Sequence, residues 1–254
     1  MRRGWARRTA ALTATAALAT ACSGLGADDT GPSPGPDTPA ATAPLSAAGP
    51  LANPDGTLPG LAPVVTDADR AQARALISQV RTAGRGPKTG YERDKFGSAW
   101  TDSAPSVPMS GNGCRTRDDI LKRDGAEVRF TSGSTCVVNT MTLADPYTGT
   151  TINFRKSNAN EVQIDHVVSL SAGWQMGAAH WPQDKRMQLA NDPLNLLAVD
   201  GPTNNGKGDA TPASWLPPAK QVRCAYVVRY AQVSLKYELP VTEADKAAML
   251  RQCA

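Results

Sequence analysis

The sequence predicts an α+β fold in which short strands and short helices are mixed without a regular order. Apolar runs with strand character are brief, and helix starts carry a hydroxyl followed by acidic residues. The two kinds of segment do not alternate as they do in a doubly wound α/β protein, and no internal repeat occurs. The 254 residues are enough for one domain with attachments or for two small domains.

Five segments have the signals of helices. Thr66 places a hydroxyl before two acidic residues, and the apolar stripe behind it reaches Val80 before Gly84 ends the helix. Thr116 begins a second, shorter helix on the same grounds. The other predicted helices run from Pro182 to about Ala190, from Gln221 to Lys236, and onward from a cap at Thr242.

Five segments rich in β-branched and aromatic residues are predicted as strands. They cover residues 128–130, 135–138, 150–154, 162–168 and 196–199. The fourth is largely apolar, which indicates a buried strand. The turn-rich stretch 84–113 contains Tyr91, Phe96 and Trp100, and aromatic residues spaced in this way are predicted to cover a core.

Residues 1–22 are predicted to be an export signal. The basic start MRRGWARR precedes a short run of Ala, Thr and Leu that stops at Cys22. Small residues before this cysteine and Ser23-Gly24 after it resemble the box of bacterial lipoproteins, although Ala19 stands where such boxes usually have Leu. Lipid anchoring at Cys22 on the outer face of the membrane is the favoured prediction, and cleavage to a free secreted protein is the alternative.

Residues 23–65 are predicted to be a disordered linker, and residues 66–254 the folded domain. Pro, Gly, Ala, Ser and Thr dominate the linker, which therefore has too little apolar surface to offset the entropy of ordering. Residues 70–254 hold 23 basic and 17 acidic side chains, a balance that permits a polyanionic partner. No stretch reaches the ~18 apolar residues of a spanning helix, which excludes a polytopic membrane protein.

Four cysteines lie within the predicted domain: Cys114, Cys136, Cys224 and Cys253. None belongs to a Cys-x-x-Cys pair, which argues against a Cys₄ zinc site. An even number in an exported chain favours disulfides, and three pairings are possible. The local one, Cys114–Cys136 with Cys224–Cys253, is the simplest and would contribute roughly 3–4 kcal/mol per bridge in the chain-entropy model.

The residues that suggest chemistry begin with Asp165-His166 on the buried strand. Burying either group unpaired would cost several kcal/mol, so the pair taken alone indicates a structural contact. It is followed, however, by Asn195-Leu196-Leu197 and then by a polar run from Asn204 to Asp209. A strand–loop–strand–helix arrangement would bring Asp165 and Asn204 around one hard cation, Mg²⁺ or Mn²⁺, with His166 beside it to deprotonate a water.

These motifs resemble those of the HNH, or ββα-metal, nucleases. The wider pattern resembles a group of bacterial secreted HNH endonuclease-family proteins that share their domain with the C-terminal part of GmrSD-type restriction enzymes. The flanking segments that agree are Gly90-Tyr91-Glu92-Arg93, Phe96-Gly97-Ser98-Ala99-Trp100, the run from Gly113 to Leu121, and Asp145-Pro146-Tyr147-Thr148-Gly149. The resemblance covers about residues 70–254 and implies an HNH ββα-metal core embellished with helices and small strands.

The resemblance also implies a role for each motif residue. Asp165 and Asn204 would be metal ligands, and His166 would be the general base that activates water against phosphorus. Asn195 would fix the geometry of the strand that carries the histidine. Lys207 would belong with His166 and Asn195 to the catalytic group, lying near the phosphates or bracing the helix. The supporting residues would be Asp209, which braces the same turn, and Asn205, which is adjacent to Asn204 and could be confused with it as the second ligand.

The implied function is hydrolysis of nucleic acid, DNA before RNA, by an exported monomeric protein. One alternative is a catalytically silent surface lipoprotein that keeps the fold and binds nucleic acid or another ligand. A third possibility is a lysozyme-like cell-wall hydrolase, which would need two carboxylates in one cleft. Asp165 and Asp209 would have to fill that role, and their neighbours argue against it. His180 lies outside every motif and is predicted to have a surface or capping role.

Overall fold

The computed structural model describes residues 46–254. The predicted export signal, Cys22 and the linker up to residue 45 lie outside the described residues. Within residues 46–254, no helix is long and apolar enough to cross a membrane.

The fold is a mixture of short helices and antiparallel strands, as the sequence predicts. The helices are α1 (Asp67–Gln79), α2 (Thr116–Asp124), α3 (Leu170–Gln175), α4 (Gln183–Asn191), α5 (Gly201–Lys207), α6 (Arg223–Lys236) and α7 (Glu243–Gln252). The strands are β1 (Gly125–Phe130), β2 (Val138–Ala144), β3 (Thr151–Arg155), β4 (Val162–His166) and β5 (Leu196–Asp200).

The helix starts follow the capping signals closely. The Thr66 hydroxyl accepts a hydrogen bond from the Asp69 amide at the start of α1, and Thr242 forms a reciprocal capping box with Asp245 at the start of α7. Helix α1 ends earlier than predicted because the backbone of Val80 is already extended.

Two local predictions were wrong. The segment 135–138, predicted as a strand, is mostly turn, because the Ser134 hydroxyl accepts hydrogen bonds from the amides of Cys136 and Val137. The second strand begins instead at Val138. The fourth strand stops at His166, because Ser169 caps the six-residue helix α3, whose apolar start resembles a continuing strand.

The strands form two separate sheets. One is a meander in which β1, β2 and β3 pair antiparallel in chain order. The other is the two-stranded pair β4–β5, in which Asp165 lies opposite Leu197 and His166 lies opposite Leu196. Helices α3 and α4 are inserted between β4 and β5, and α5 follows β5 directly. This gives the strand–strand–helix order that the motifs predict.

A buried helix supports one side of the β4–β5 pair. Helix α6 is buried along most of its length and packs within a large apolar cluster together with α1, α7 and the residues after β4. A second cluster joins α2, the three-stranded sheet and the other face of β4 and β5. The β4–β5 pair therefore lies between two apolar clusters, with β4 packed on the second cluster and β5 contacting both.

Residues 46–65 pack on the domain, although their composition suggests a linker. Leu61 and Val64 are buried in the large cluster, and the side chain of Asn53 is fully buried. The amide of Gly60 donates a hydrogen bond to Asp124 at the end of α2. These contacts could not be predicted from the composition of the segment, because only a few of its residues are apolar.

Both local disulfides are present. Cys114 is bonded to Cys136, which ties the start of α2 to the loop before β2. Cys224 is bonded to Cys253, which ties the end of α7 to the start of α6. The simplest pairing predicted from the sequence is thus confirmed.

Candidate active site

A cleft of about 540 Å³, called here the main cleft, opens over β4 and α5. Five of the motif residues line it: Asp165, His166, Asn204, Asn205 and Asp209. The other two, Asn195 and Lys207, are buried behind its wall. The motif residues, which are spread over more than 40 positions in the sequence, are therefore brought together by the β4–β5 pair and the helix that follows it.

Asp165 is nearly buried and is held by two donors. The Lys207 Nζ atom donates to Oδ1 over 2.8 Å, and the Tyr147 hydroxyl donates to Oδ2 over 2.5 Å. Lys207 also donates to the backbone carbonyl of His166 over 2.7 Å. Because its side chain is fully buried, Lys207 braces the strand and neutralises the carboxylate instead of lying open to the cleft.

His166 is held in one tautomer. Its Nε2 atom lies 2.9 Å from the carbonyl oxygen of Ala190. Since a carbonyl only accepts, Nε2 carries the proton and Nδ1 keeps the lone pair. Burial, together with the positive charges of Arg93 and Lys207, lowers the pKa of His166 to about 3, against the smaller opposing effect of the Ala190 hydrogen bond. The imidazole is therefore neutral near pH 7.

Asn195 joins the end of β4 to the turn that leads into β5. Its side-chain oxygen accepts from the Val168 amide over 2.8 Å, and its amide nitrogen donates to the carbonyls of Val168 and Leu189. Its backbone carbonyl accepts from the Val167 amide. All the hydrogen-bonding groups of this fully buried amide are thus used to fix the segment that follows His166.

The polar run around α5 forms the opposite wall. Asn204 donates from Nδ2 to the Gln163 side-chain oxygen over 2.8 Å, and Asn205 is exposed beside it. Helix α5 begins earlier than Asn204, because Asp200 caps it and Pro202 occupies its first turn. Asp209 forms a salt bridge of 2.7 Å with Lys88.

The pKa of Asp209 argues against the cell-wall hydrolase. Partial burial alone would raise this pKa, but the hydrogen bond and charge of Lys88 outweigh it and lower the pKa below its usual range. A glycosidase acid needs a raised pKa. Asp165 already accepts bonds from Lys207 and Tyr147, so neither carboxylate is arranged as a proton donor.

Sequence reasoning missed several residues of the cleft. Trp100 packs against the second apolar cluster, as predicted, but it is only half-buried and also lines the cleft. Its ring is stacked on His166 at a centroid distance of 5.4 Å and an angle of 14°. Arg93 and Arg117 also line the cleft and give it positive charge. Tyr147 was noted only as part of a flanking motif. Its burial beside Asp165 depends on a contact that no local pattern predicts.

The cleft offers oxygen donor atoms, which are the type of ligand that a hard divalent cation prefers. Asp165 and Asn204 offer carboxylate and amide oxygens, and each oxygen of Asp165 accepts one hydrogen bond, which leaves further acceptor capacity on both. Among residues 46–254, no group of three or more His, Cys, Asp or Glu side chains could hold a metal by itself. Asp165 and Asn204 are therefore the cleft residues that could hold such an ion.

Comparison with known proteins identifies the family. Residues 115–252, more than half of the chain, match the family described as "GmrSD restriction endonucleases, C-terminal domain". The chain belongs to this family. The matched span runs from α2 to α7 and includes every motif residue of the cleft. The chain therefore carries a nuclease-like domain, for which nucleic acid is the expected substrate.

A curated relative is similar over a longer part of the chain. It is described as "Uncharacterized secreted protein" from Arthroderma benhamiae, and it is 39% identical over 186 residues. The similarity covers 71% of this chain and 84% of the relative. No match was found among solved structures. The domain thus also occurs in a fungal secreted protein, beyond the bacterial group that the motifs resemble.

Proposed function

We propose that this protein is an exported, metal-dependent HNH endonuclease that hydrolyses phosphodiester bonds of nucleic acid, DNA before RNA, as a monomer. The observation that carries the proposal is that Asp165, His166 and Asn204 line one cleft together with Arg93 and Arg117. An oxygen donor pair, a neutral imidazole and two guanidinium groups are what hydrolysis of a polyanion requires.

His166 is the general base in this proposal. The proton on Nε2 is fixed by Ala190, so Nδ1 receives the proton of the attacking water. Asn195 holds the segment after His166 in place, and Lys207 holds Asp165 and the His166 carbonyl together. These two buried residues are positioning residues, since neither lines the cleft.

Asp165 and Asn204 are the residues that would hold Mg²⁺ or Mn²⁺. When bound, the ion would polarise the phosphate and lower the pKa of the attacking water. A more acidic water is needed because His166, whose pKa is lowered to about 3, is a weak base. Arg93 and Arg117 would bind the flanking phosphates. The pKa of Arg117 is lowered by burial, which indicates a partly desolvated cation that gains from an anionic partner.

Export through residues 1–22 is part of the proposal. It is supported by the signal-like sequence and by the relative that is described as secreted. Lipid attachment at Cys22 rests on the resemblance to the lipoprotein box alone. Mass spectrometry of the mature N-terminus would distinguish a lipidated cysteine from a free, cleaved chain.

The proposed activity is tested by plasmid nicking with the purified, oxidised protein in Mg²⁺ or Mn²⁺. We expect cleavage that EDTA abolishes and that His166→Ala reduces by a factor of at least 100. The matched control is His180→Ala, which changes the other histidine of the chain, an exposed residue that does not line the cleft. Folding of each variant is checked by circular dichroism.

The alternative of a silent binding protein predicts a different result. In that case folded wild-type protein would retain labelled DNA in a gel-shift assay but would cleave neither DNA nor RNA in any divalent metal. Equal cleavage by wild type and His166→Ala would instead exclude His166 as the general base.

A further inference from the structure

A smaller pocket opens beside the main cleft, on the other side of Trp100. This side pocket has a volume of about 270 Å³ and a predominantly apolar lining. It shares four residues with the main cleft: Arg93, Trp100, His166 and Leu170. The remaining wall comes from the short 3₁₀ helix Arg93–Phe96, from the loop that follows it, and from the end of α4. The two cavities thus adjoin at the stacked rings of His166 and Trp100.

The two cavities differ in chemistry as the two parts of a nucleotide do: one is polar and cationic and suits a phosphate, and the other is apolar and suits a base. Apart from the shared residues, the main cleft is lined mostly by polar and cationic groups such as Arg117, Gln163 and Asn204. The side pocket is lined mostly by apolar groups such as Phe96, Ala99 and Ala190. A phosphate beside His166 would be followed along the strand by an apolar, planar base within reach of this pocket. Its volume lies just below the ~300 Å³ at which pockets for drug-sized ligands begin, so it suits one base.

Two details of the pocket wall are unusual for a purely structural surface. Trp100 has a backbone φ of 57°, a left-handed conformation that is rare for a bulky residue and is often found at functional sites. Asn191, which lines the side pocket, donates to the Met187 carbonyl, but its buried Oδ1 atom has no hydrogen-bond partner.

We propose that the side pocket receives a nucleobase next to the scissile phosphate, with Trp100 as its stacking wall. The inference rests on the proposed function and deepens it. A base can enter only if it is unstacked from its neighbours. The enzyme would therefore prefer single strands, or duplex positions at which a base is easily flipped, over regular duplex.

The test uses single-stranded oligonucleotides in which one abasic site is moved stepwise past the cut position. Cleavage by the wild-type protein should fall about tenfold when the missing base is the one that occupies the pocket, and little at the other positions. The variant Ala99→Phe narrows the side pocket from a residue that does not line the main cleft. It should erase the difference between the intact and the abasic strand.

The matched control is Ala71→Phe, which adds the same ring on the exposed face of α1 and should keep the tenfold difference. Equal cleavage of every abasic strand by the wild type would overturn the nucleobase pocket and leave the nuclease intact. Failure of the wild type to cleave any strand in any divalent metal would overturn the proposed function, and this inference with it.

Discussion

At the scale of single residues, the cleft depends on charges that are buried rather than exposed. Lys207 was expected near the phosphates or bracing its helix, and its side chain is fully buried against Asp165. The Lys88–Asp209 pair has a similar length of 2.7 Å, but about half of each side chain is exposed. Because solvent screens the exposed pair, the two salt bridges should differ greatly in their effect on stability.

Lys207→Met is expected to lower the free energy of unfolding by about 3–5 kcal/mol, because it leaves Asp165 buried without its cation. The control Lys88→Met should have a much smaller effect on the free energy of unfolding, because solvent screens its ion pair. Urea denaturation of both variants measures the difference. Equal losses would contradict a special role for the buried pair.

Arg123 and Arg229 are two buried cations outside the cleft, and they differ in how completely they are paired. Arg123 donates to both oxygens of Asp124 and to three backbone carbonyls. Arg229 is fully buried, but its Nε and Nη2 atoms have no hydrogen-bond partner in the described part of the chain. Burial lowers the pKa of Arg229 to about 10, which indicates a cation with little compensation.

Arg123→Met should therefore cost at least about 3 kcal/mol of unfolding free energy, since it leaves a buried carboxylate and several carbonyls without donors. Arg229→Met should change stability by less than about 1 kcal/mol, or raise it. Thermal denaturation monitored by circular dichroism distinguishes the two variants. A larger loss in Arg229→Met than in Arg123→Met would refute this ranking.

At the scale of elements, the site depends on how β4 is joined to β5. Helices α3 and α4 separate the two strands in sequence, so their pairing relies on contacts across this insertion. Asn195 makes these contacts, because one amide bonds the segment after β4 and the end of α4. The resemblance to the HNH nucleases predicts this role for Asn195, and the hydrogen bonds are consistent with it.

Asn195→Ala is expected to lower the unfolding free energy by about 1–3 kcal/mol, because buried backbone groups lose their partner. Asn205→Ala, which removes the same side chain from an exposed position, should stay within about 0.5 kcal/mol of the wild type. Guanidinium denaturation of the two variants provides the measurement. If both variants were equally stable, the amide network would not be structural.

At the scale of the whole molecule, residues 46–65 extend the folded domain beyond its predicted start. This segment contains both a buried leucine, Leu61 at 3% exposure, and an exposed one, Leu58 at 47%. In a disordered linker the two leucines would be equally exposed, because neither would have a fixed environment. The packed segment instead contributes apolar area to the large core that supports β4.

Leu61→Ala should therefore cost about 2–5 kcal/mol of unfolding free energy, the range found for leucines deleted from cores. The control Leu58→Ala should cost less than about 0.5 kcal/mol. Denaturation of both variants decides whether residues 46–65 belong to the cooperative unit. If neither substitution changed the free energy of unfolding, residues 46–65 would be part of the linker and not of the folded domain.

Most of the fold could be predicted from the sequence, because its signals are local. Threonine caps, the apolar run of β4 and the strand β5 specify elements within a few residues of themselves. The disulfide pairing was predictable since each bridge closes a short loop. The start of β2, the end of β4 and the short helix α3 were not predicted, because short apolar runs fit a strand or a helix equally well.

The sequence by itself determined the α+β class, the helix caps and the motif residues that belong to the GmrSD C-terminal family, and it favoured one of three disulfide pairings. Only the tertiary structure decided that Lys207 turns inward to Asp165, that Trp100 stacks on His166, and that residues 46–65 join the core. These three features are contacts between distant parts of the chain. These contacts are stabilised by burial and charge pairing that exist only in the folded chain, so neither can be predicted from residues that are close in sequence.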